Sequence, residues 1–254
     1  MSETKTCVVL ATDGNLVLQT EALLSSINEN YHGTESLDVF ILVPPNLGEW
    51  ALKRQYKSLR INFIAVSQIE EPSVQESVKL TYRYLRLPPA SMYRYFMADL
   101  LPDYTKAIYL DIDLIVTRDI SPLLNFKLNN PIGVFVEMQM DFPDNEQYKD
   151  FAYFNSGVMV VDLDYWREHD ISTKLVELSK RITMWTGAGD QDVLNLFFRN
   201  NFTSMPVNFN YLINMYRNLD IRNPLIVHWA GKTKPWDSMS PDSKWKQLWK
   251  RHSL

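Results

Sequence analysis

The chain has 254 residues, 46% of them hydrophobic, with a formal net charge of −4 at pH 7 and one cysteine. This length suits one α/β domain with a large core, and the acidic balance argues against general nucleic-acid binding, which needs a basic surface. The single Cys7 excludes an internal disulfide and fits a reducing compartment. No apolar run reaches the ~18 residues that span a membrane, and residues 1–6 do not resemble a signal peptide. We therefore expect a cytoplasmic protein.

Strand patterns alternate with helical patterns along the chain, which predicts a single α/β domain with a mixed, mostly parallel central sheet flanked by helices. The predicted strands are residues 5–11, 37–43, 61–66, 107–116, 131–136, 158–161 and 225–227, and the predicted helices are 16–27, 47–59, 91–101, 163–184 and 190–198. Residues 68–90 and 137–153 lack both patterns and are predicted to be long loops, the first of them a lid over the sheet edge.

The first predicted strand is followed directly by Asp13 and Asn15. Ligands of parallel sheets bind at the carboxyl ends of the strands, so both residues are candidates for ligand contact. Because Asp and Asn are also common helix N-caps, capping of the next helix is the alternative. Only eight glycines are present and no GxxxxGK[ST] motif occurs. Any bound phosphate is therefore expected to be held by cations.

The most informative stretch is Tyr109-Leu110-Asp111-Ile112-Asp113, an apolar strand pattern that contains two acids. In an extended segment, Asp111 and Asp113 point to the same face, ~7 Å apart along the strand. Two unpaired acids in a buried strand are unfavourable, whereas two carboxylates suit a hard divalent cation. We therefore predict a metal site at the end of this strand.

The last predicted strand leads into His228-Trp229-Ala230-Gly231-Lys232-Thr233-Lys234-Pro235-Trp236. A lone histidine is more often structural than a ligand, but His228 at a strand end would complete a coordination set with Asp111 and Asp113. A nitrogen ligand favours Mn²⁺ over Mg²⁺. Lys234, and Lys232 beside it, would add positive charge for phosphate groups.

Three further segments carry candidate residues, each with a structural alternative. Arg94 lies in the first turn of a predicted helix, where the macrodipole disfavours a cation. This position indicates either that Arg94 has an anionic partner or that it is a surface residue without functional meaning. Gly157 precedes a buried strand and indicates a close backbone approach or a β-bulge. Asp190 begins a predicted helix and is either an N-cap or a ligand contact.

Four motifs, taken in this order, resemble glycosyltransferase family 8, which includes bacterial lipopolysaccharide galactosyl- and glucosyltransferases and glycogenin. The motifs are Tyr-Leu-Asp-Ile-Asp at 109–113, Tyr-Phe-Asn-Ser-Gly-Val at 153–158, Gly-Asp-Gln-Asp at 189–192 and the stretch from His228 to Trp236. The resemblance runs from Ala11 to Trp236. It implies a GT-A fold, a UDP-hexose donor, Mn²⁺ (with Mg²⁺ as the alternative) and retention at the anomeric carbon.

The resemblance also implies roles for individual residues. Asp111, Asp113 and His228 match the family's metal ligands, and Asp190 and Gln191 match the catalytic pair that faces the hexose. The other implied substrate contacts are Asp13 and Asn15 for uridine, Arg94 for the donor, Ile112, Asn155, Ser156 and Gly157 near the donor sugar, and Gly231 and Lys234 for the diphosphate. Leu16 departs from the family, in which an aromatic residue often stacks on uracil at this point.

The implied reaction moves glucose or galactose from UDP to a saccharide, lipid-linked glycan or protein acceptor. Gln191 is a poor nucleophile for a double displacement, so we expect same-face attack, in which the departing phosphate accepts the acceptor's proton. Two alternatives stay open: a nucleotide-sugar-binding protein without activity, and a sugar nucleotidyltransferase, which would usually need a glycine-rich loop near the first strand. A haloacid-dehalogenase-type phosphatase also has an apolar DxD strand, but Leu194 stands where it needs an acid.

Residues 232–254 carry six Lys or Arg and two Asp, with tryptophans interleaved among the bases. We divide the chain into a glycosyltransferase domain at 1–236 and a basic, aromatic segment at 237–254. Residues 240–254 either contact anionic lipid at the inner face of the cell membrane or form a helix that packs on the domain while its lysines reach solvent.

Overall fold

The computed structural model describes residues 4–45, 47, 52–66, 89–140, 151–181, 189–216, 221 and 223–254. Within these residues, a seven-stranded sheet and a three-stranded sheet are combined with helices. This arrangement confirms the predicted mixed α/β class.

The strands among the described residues are β1 (Thr6–Ala11), β2 (Leu37–Val43), β3 (Leu59–Ala65), β4 (Lys106–Leu110), β5 (Leu114–Val116), β6 (Ile132–Met140), β7 (Phe151–Asp162), β8 (Thr203–Ser204), β9 (Tyr211–Leu212) and β10 (Ile226–His228). The helices among them are α1 (Val17–Glu29), α2 (Met97–Leu100), α3 (Ser121–Leu124), α4 (Leu163–Glu168), α5 (Ile171–Ser179), α6 (Asp190–Phe198) and α7 (Lys244–Ser253). Two 3₁₀ helices span Pro89–Phe96 and Val207–Phe209.

The large sheet has the strand order β3-β2-β1-β4-β7-β6-β8, and the small sheet has the order β5-β10-β9. Pairs in the large sheet are parallel except at β7, which is antiparallel to both of its neighbours. Leu110 at the end of β4 pairs with Val158 in the middle of β7. The end of β4 therefore lies beside the middle of β7, and this is where the candidate residues collect.

The large sheet is buried on both faces, and β1 shows why its sequence forms a central strand. Cys7 and Val9 pack into one core, Val8 and Leu10 pack into the other, and all four are fully buried. This is the two-residue period of a strand in which both sets of side chains are apolar, as expected for a parallel sheet covered on both sides.

The helix predicted over 47–59 is wrong in its described part, because residues 52–58 form bends and turns. The cause is a tertiary contact. The buried carboxylate of Glu21 on α1 accepts hydrogen bonds from the backbone N–H groups of Lys53 and Arg54. These amides are satisfied without a helical turn, which the local apolar pattern does not reveal.

The long loop predicted over 137–153 is wrong where the structure describes it, because β6 and β7 continue through both of its ends as an antiparallel pair. Backbone hydrogen bonds between β6 and β7 satisfy the amides whatever the side chains are. A strand can therefore form here although this polar sequence lacks the apolar–polar alternation that predicts one. The lid predicted over 68–90 lies outside the described residues up to residue 88. Residues 89 and 90 begin the first 3₁₀ helix.

The helix predicted over 163–184 consists of two helices, α4 and α5, in its described part. The chain breaks between them at Asp170, which has a left-handed backbone with φ of 49°. Asp162 begins α4 as its N-cap and accepts a hydrogen bond from the Tyr165 N–H at 2.9 Å. Residues 182–184 lie outside the described residues.

Helix α7 packs on α1, and its tryptophans face the protein. Trp249 is buried, and Trp245 and Leu248 are packed against the same apolar cluster. Ser243 caps the helix by accepting a hydrogen bond from the Lys246 N–H. In the described parts of the chain, no helix is long and apolar enough to cross a bilayer.

Asn195 joins α6 to β7, and this contact yields a test of the fold. Its Oδ1 accepts from the Phe154 N–H at 2.8 Å, and its Nδ2 donates to the Phe154 carbonyl at 2.9 Å. Asn195→Leu has a similar shape but leaves two buried backbone groups unpaired, so we expect the free energy of unfolding to fall by about 2–4 kcal/mol.

Denaturant unfolding measures this change. The exposed Asn129→Leu is the matched control and should stay within ~0.5 kcal/mol of wild type. An Asn195→Leu protein as stable as the control would show that the helix does not depend on this link.

Candidate active site

The two predicted metal-binding acids lie in a bend between β4 and β5, which belong to different sheets. The prediction that Asp111 and Asp113 share one face of a continuous strand is therefore wrong. The bend is fixed by two backbone hydrogen bonds, from the Asp111 N–H to the Gly157 carbonyl at 2.8 Å and from the Trp229 N–H to the Asp113 carbonyl at 3.0 Å. The chain bends here because β5 leaves the large sheet to pair with β10.

His228 is the last residue of β10 and is almost fully buried. The antiparallel register pairs it with Leu114, the first residue of β5, which directly follows the acids. Its Nε2 lies 3.1 Å from Asp113 Oδ1 and 4.0 Å from Asp111 Oδ2. The ligand atoms of these three residues lie within 4.8 Å of one another, so the predicted coordination set is assembled.

The surroundings of these side chains fit a divalent cation. Asp113 Oδ1 is buried and accepts no hydrogen bond from the described residues. A Cβ atom on Gly157 would lie 2.3 Å from His228 Cε1 and 2.6 Å from Asp111 Oδ2, so a glycine is needed to leave the space beside them. Two carboxylates and an imidazole are a donor set suited to Mn²⁺.

Lys234 also reaches the acids. It forms an ion pair with Asp113 and donates a hydrogen bond to the Trp229 carbonyl at 3.0 Å. Burial alone raises the pKa of Asp113, but the neighbouring His228 and Lys234 outweigh burial and hold that pKa below its usual value. Asp113 is therefore ionised, as a metal ligand must be.

Arg94 connects the acids to the rest of the site. It is buried in the 3₁₀ helix Pro89–Phe96, not in the first turn of an α-helix as predicted. Its guanidinium lies 2.9 Å from Asp111 Oδ1 and 3.1 Å from Asp190 Oδ2, and donates to the Ser156 carbonyl at 2.9 Å. Burial alone lowers the pKa of Arg94, but the two carboxylates outweigh burial and raise it. Arg94 thus has the anionic partners that its position indicated.

Asp190 is the first residue of α6, and its side chain is buried. The N-cap is Gly189 and makes no side-chain bond, so the capping alternative does not describe Asp190. Burial raises the pKa of Asp190 to about 6, with Arg94 lowering it and Asp111 raising it in smaller measure. An acid with this pKa changes charge near neutrality, as is typical of functional carboxylates.

The segment Asn155-Ser156-Gly157 lies where β7 is irregular. Along β6, Val134 pairs with Met159 whereas the next residue, Phe135, already pairs with Asn155, so residues 156–158 bulge from this side of the ladder. Both interpretations of Gly157 are therefore correct, since the bulge accompanies a close backbone approach. The bulge directs the Ser156 N–H and the Asn155 Nδ2 to Gln191 Oε1, at 2.9 and 3.2 Å.

Asp13 and Asn15 lie at the end of β1, and neither caps α1. The Asn15 N–H donates to Asp13 Oδ1 at 3.0 Å, and the N-cap of α1 is Leu16, without a side-chain bond. Burial and then the charge of Asp13 raise the pKa of Tyr93, so Asp13 lies near this neighbour of Arg94. Both residues follow the carboxyl end of β1, and their contact with a ligand stays a prediction.

Ile112 and Gly231 are the two remaining predicted substrate contacts. The Ile112 side chain packs against the core on the α1 face, so the structure does not bring it to the metal-binding atoms. Gly231 is exposed in a left-handed conformation, with φ of +95° and open space where a Cβ would be. Its conformation, and not crowding, is what favours glycine there.

Three residues of the site were missed from sequence. The Tyr109 hydroxyl donates to Asp111 Oδ1 at 3.0 Å, and Asn210 Oδ1 lies 3.0 Å from His228 Nδ1. Burial raises the pKa of Glu137, and hydrogen bonds with Asn155 and Gln191 oppose that rise. Tyr109 could have been found two residues before Asp111, whereas Asn210 and Glu137 sit in patterns without a local signal.

With this geometry in view, comparison with known proteins becomes informative. The profile of the family described as "Glycosyl transferase family 8" matches residues 7–240. The chain belongs to glycosyl transferase family 8. The glycosyltransferase GlyF of Streptococcus pneumoniae is 29% identical over 250 residues, covering 95% of this chain and 60% of GlyF. A lipopolysaccharide 1,3-galactosyltransferase of Salmonella typhimurium is 30% identical over 171 residues, covering 59% of this chain and 50% of that protein.

Solved structures place the family 8 chain in the GT-A fold. The galactosyltransferase LgtC, in complex with donor and acceptor sugar analogs, superposes with a TM-score of 0.76 at 20% identity, covering 97% of this chain and 94% of LgtC. At this identity the likeness shows the fold alone. The chain spans less than two thirds of the length of GlyF and of the Salmonella protein.

The raised pKa of Asp190 predicts a pH dependence of stability. Burial raises that pKa from 3.8 to about 6, so the folded state binds the proton more tightly than the unfolded state does. Protonated Asp190 therefore stabilises the folded state at low pH, and this stabilisation is lost as pH rises from 3.8 to about 6. Relative to Asp190→Asn, we expect wild type to lose ~3 kcal/mol of unfolding free energy between about pH 4 and pH 6 and nothing further above pH 7.

Chemical unfolding of both proteins across this pH range checks the prediction. Asp119→Asn is the control with the opposite sign, because hydrogen bonds from Ser121 lower the pKa of Asp119 and its contribution is lost as pH falls. Parallel stability curves for wild type and Asp190→Asn would contradict the assignment.

Proposed function

We propose that the protein transfers glucose or galactose from UDP to a glycan acceptor, with retention of configuration at the anomeric carbon. The observation that carries this proposal is the meeting of Asp111, Asp113 and His228 with the Arg94–Asp190 pair at the end of β4. Membership of glycosyl transferase family 8 supports it, as does a relative named as a galactosyltransferase. The acceptor is a saccharide, a lipid-linked glycan or a protein.

Asp111, Asp113 and His228 would hold Mn²⁺, with Mg²⁺ as the alternative. When bound, the ion supplies a Lewis acid that neutralises the charge of a departing diphosphate. Lys234 already contacts Asp113 and would add its charge to the same phosphates, beside the turn at Gly231. Asp13 and Asn15, at the end of β1, would contact the uridine.

The contacts of Gln191 and Asp190 support same-face attack. Gln191 Oε1 already accepts hydrogen bonds from the Ser156 N–H and the Asn155 amide, so its lone pairs are engaged. Asp190 is buried and paired with Arg94. Neither group is placed as a free nucleophile for a double displacement.

In the proposed reaction, the acceptor hydroxyl attacks the anomeric carbon on the face from which the diphosphate departs. The bond from the sugar to the phosphate oxygen breaks as the new glycosidic bond forms, and a phosphate oxygen takes the hydroxyl proton. Gln191 stabilises the positive charge that develops on the sugar ring, and Asp190 orients the sugar by binding its hydroxyls. Asn155, Ser156 and Gly157 line the donor sugar.

A hydrolysis screen over nucleotide sugars, with Mn²⁺ or Mg²⁺, tests the proposed donor. We expect UDP release from UDP-glucose or UDP-galactose that requires a divalent cation, is greater with Mn²⁺ and is abolished by a chelator. Asp111→Asn and Asp113→Asn should each lower the rate by ~100-fold or more, because several kcal/mol of charge stabilisation depend on the ion. The exposed Asp103→Asn is the matched control and should behave as wild type.

The same screen separates the alternatives. A binding protein without activity would take up UDP and Mn²⁺ but release no product. A sugar nucleotidyltransferase would instead form pyrophosphate from UTP and a sugar 1-phosphate. Full activity of Asp111→Asn or Asp113→Asn in chelator would overturn the proposal.

Gln191→Ala tests the reaction centre. Removing an amide that acts mainly in the transition state should lower kcat by ~10–100-fold, while the Kd for the UDP-sugar changes by less than ~3-fold. Single-turnover kinetics and calorimetry with the donor measure the two quantities separately. An unchanged kcat would remove Gln191 from the mechanism.

Membrane contact of residues 240–254 is the weaker part of the proposal. The tryptophans that would enter a lipid interface are packed against the protein, so contact with anionic lipid would depend on exposed cations such as Lys244, Lys250 and Arg251. The arrangement of α7 supports the packed-helix alternative.

A further inference from the structure

Asn210 lies behind the metal ligands, at the end of the second 3₁₀ helix, and is fully buried. Its Oδ1 lies 3.0 Å from His228 Nδ1, and its Nδ2 lies 2.9 Å from Asn155 Oδ1. It therefore touches one metal ligand and one residue of the β7 bulge.

The orientation of the neighbouring Asn155 amide is fixed by backbone donors at both ends. The Gly157 N–H donates to Asn155 Oδ1 at 3.0 Å, so an oxygen must occupy that position. At the other end, the Ser156 N–H fixes the oxygen of Gln191, and this oxygen needs the Asn155 Nδ2 as a donor. A reversed Asn155 would oppose donor to donor at one end and leave an oxygen facing an oxygen at the other.

This fixed amide determines the orientation of Asn210 in turn. The group of Asn210 that faces Asn155 Oδ1 must be its NH₂, so its oxygen faces His228. That oxygen can only accept a hydrogen bond, and therefore His228 Nδ1 carries a proton. Nε2 is then the nitrogen that faces Asp111 and Asp113, where it would meet a cation bound by these acids.

We propose that Asn210 is a positioning residue that fixes the Nδ1–H tautomer of His228 and so directs Nε2 to the metal ion. Metal-binding histidines commonly gain orientation and basicity from an acceptor on their second nitrogen. Here the acceptor is an amide whose own direction is set by the backbone N–H groups of Gly157 and Ser156. The metal-binding part of this inference rests on the proposed function, whereas the tautomer does not.

The tautomer can be read directly. Long-range ¹H–¹⁵N NMR on protein labelled at its four histidines, with His228 identified from the His228→Gln spectrum, should show a proton on His228 Nδ1 in metal-free wild type. Asn210→Leu, which has a similar shape and no hydrogen-bonding group, should populate the Nε2–H form. Asn210→Asp retains an oxygen for Nδ1–H and should restore the wild-type tautomer.

Mn²⁺ affinity is the second measurement. By electron paramagnetic resonance, with and without UDP, Asn210→Leu should bind Mn²⁺ ~10–100-fold more weakly than wild type. Asn208→Leu is the matched control, because Asn208 lies on the same 3₁₀ helix, is half-buried and has no side-chain bond to a described residue. It should match wild type in both measurements.

The outcomes separate this inference from the proposed function. A wild-type His228 that carries no proton on Nδ1 overturns the inference, even if Asn210→Leu fails to fold. So does an Asn210→Leu protein with unchanged tautomer and unchanged Mn²⁺ affinity. A wild type that binds no Mn²⁺, with or without UDP, instead overturns the proposed metal site and leaves the tautomer result standing.

Discussion

The site depends on one buried guanidinium. Arg94 contacts Asp111, Asp190 and the Ser156 carbonyl, which come from three separate parts of the chain. A buried charge is tolerated only when it is paired and its hydrogen bonds are made, and the same holds for the two carboxylates. Each segment therefore holds the others in place, and removing Arg94 would leave the buried Asp190 and the half-buried Asp111 without their shared cation.

The second constraint is the change of sheet at Asp111. A strand that continued straight would keep Asp111 and Asp113 within the large sheet, far from β10. Because β5 instead pairs with β10 in a register that sets Leu114 opposite His228, a residue more than a hundred positions away arrives beside the acids. The bulge in β7 then adds the Ser156 and Gly157 backbone groups to the same point. The site is built by these two irregularities, the change of sheet at Asp111 and the bulge in β7, and not by the regular parts of the sheets.

The contrast between regular strands and irregular segments explains which features could be predicted from the sequence. The buried apolar parts of the longer strands and the Asp111, Asp113 and His228 set were predictable, because buried apolar runs and motifs are local signals. The turn after Glu21 was not, since a side chain on α1 satisfies its amides. Asn210 was not either, because an asparagine in a turn is common and its role depends on partners 55 and 18 positions away.

The balance of charge gives a reason for the proposed donor and the proposed metal to bind together. Asp111, Asp113 and Asp190 meet Arg94 and Lys234, so among these five groups one negative charge lacks a fixed partner when all are ionised. A diphosphate is repelled by such a site unless a cation accompanies it, and a cation is held more tightly when phosphate oxygens complete its coordination. Because such coupling is reciprocal, the proposed donor and metal would each strengthen the binding of the other, and both would stabilise the folded protein by mass action. The excess of acid would thus favour a metal–nucleotide complex over either component alone.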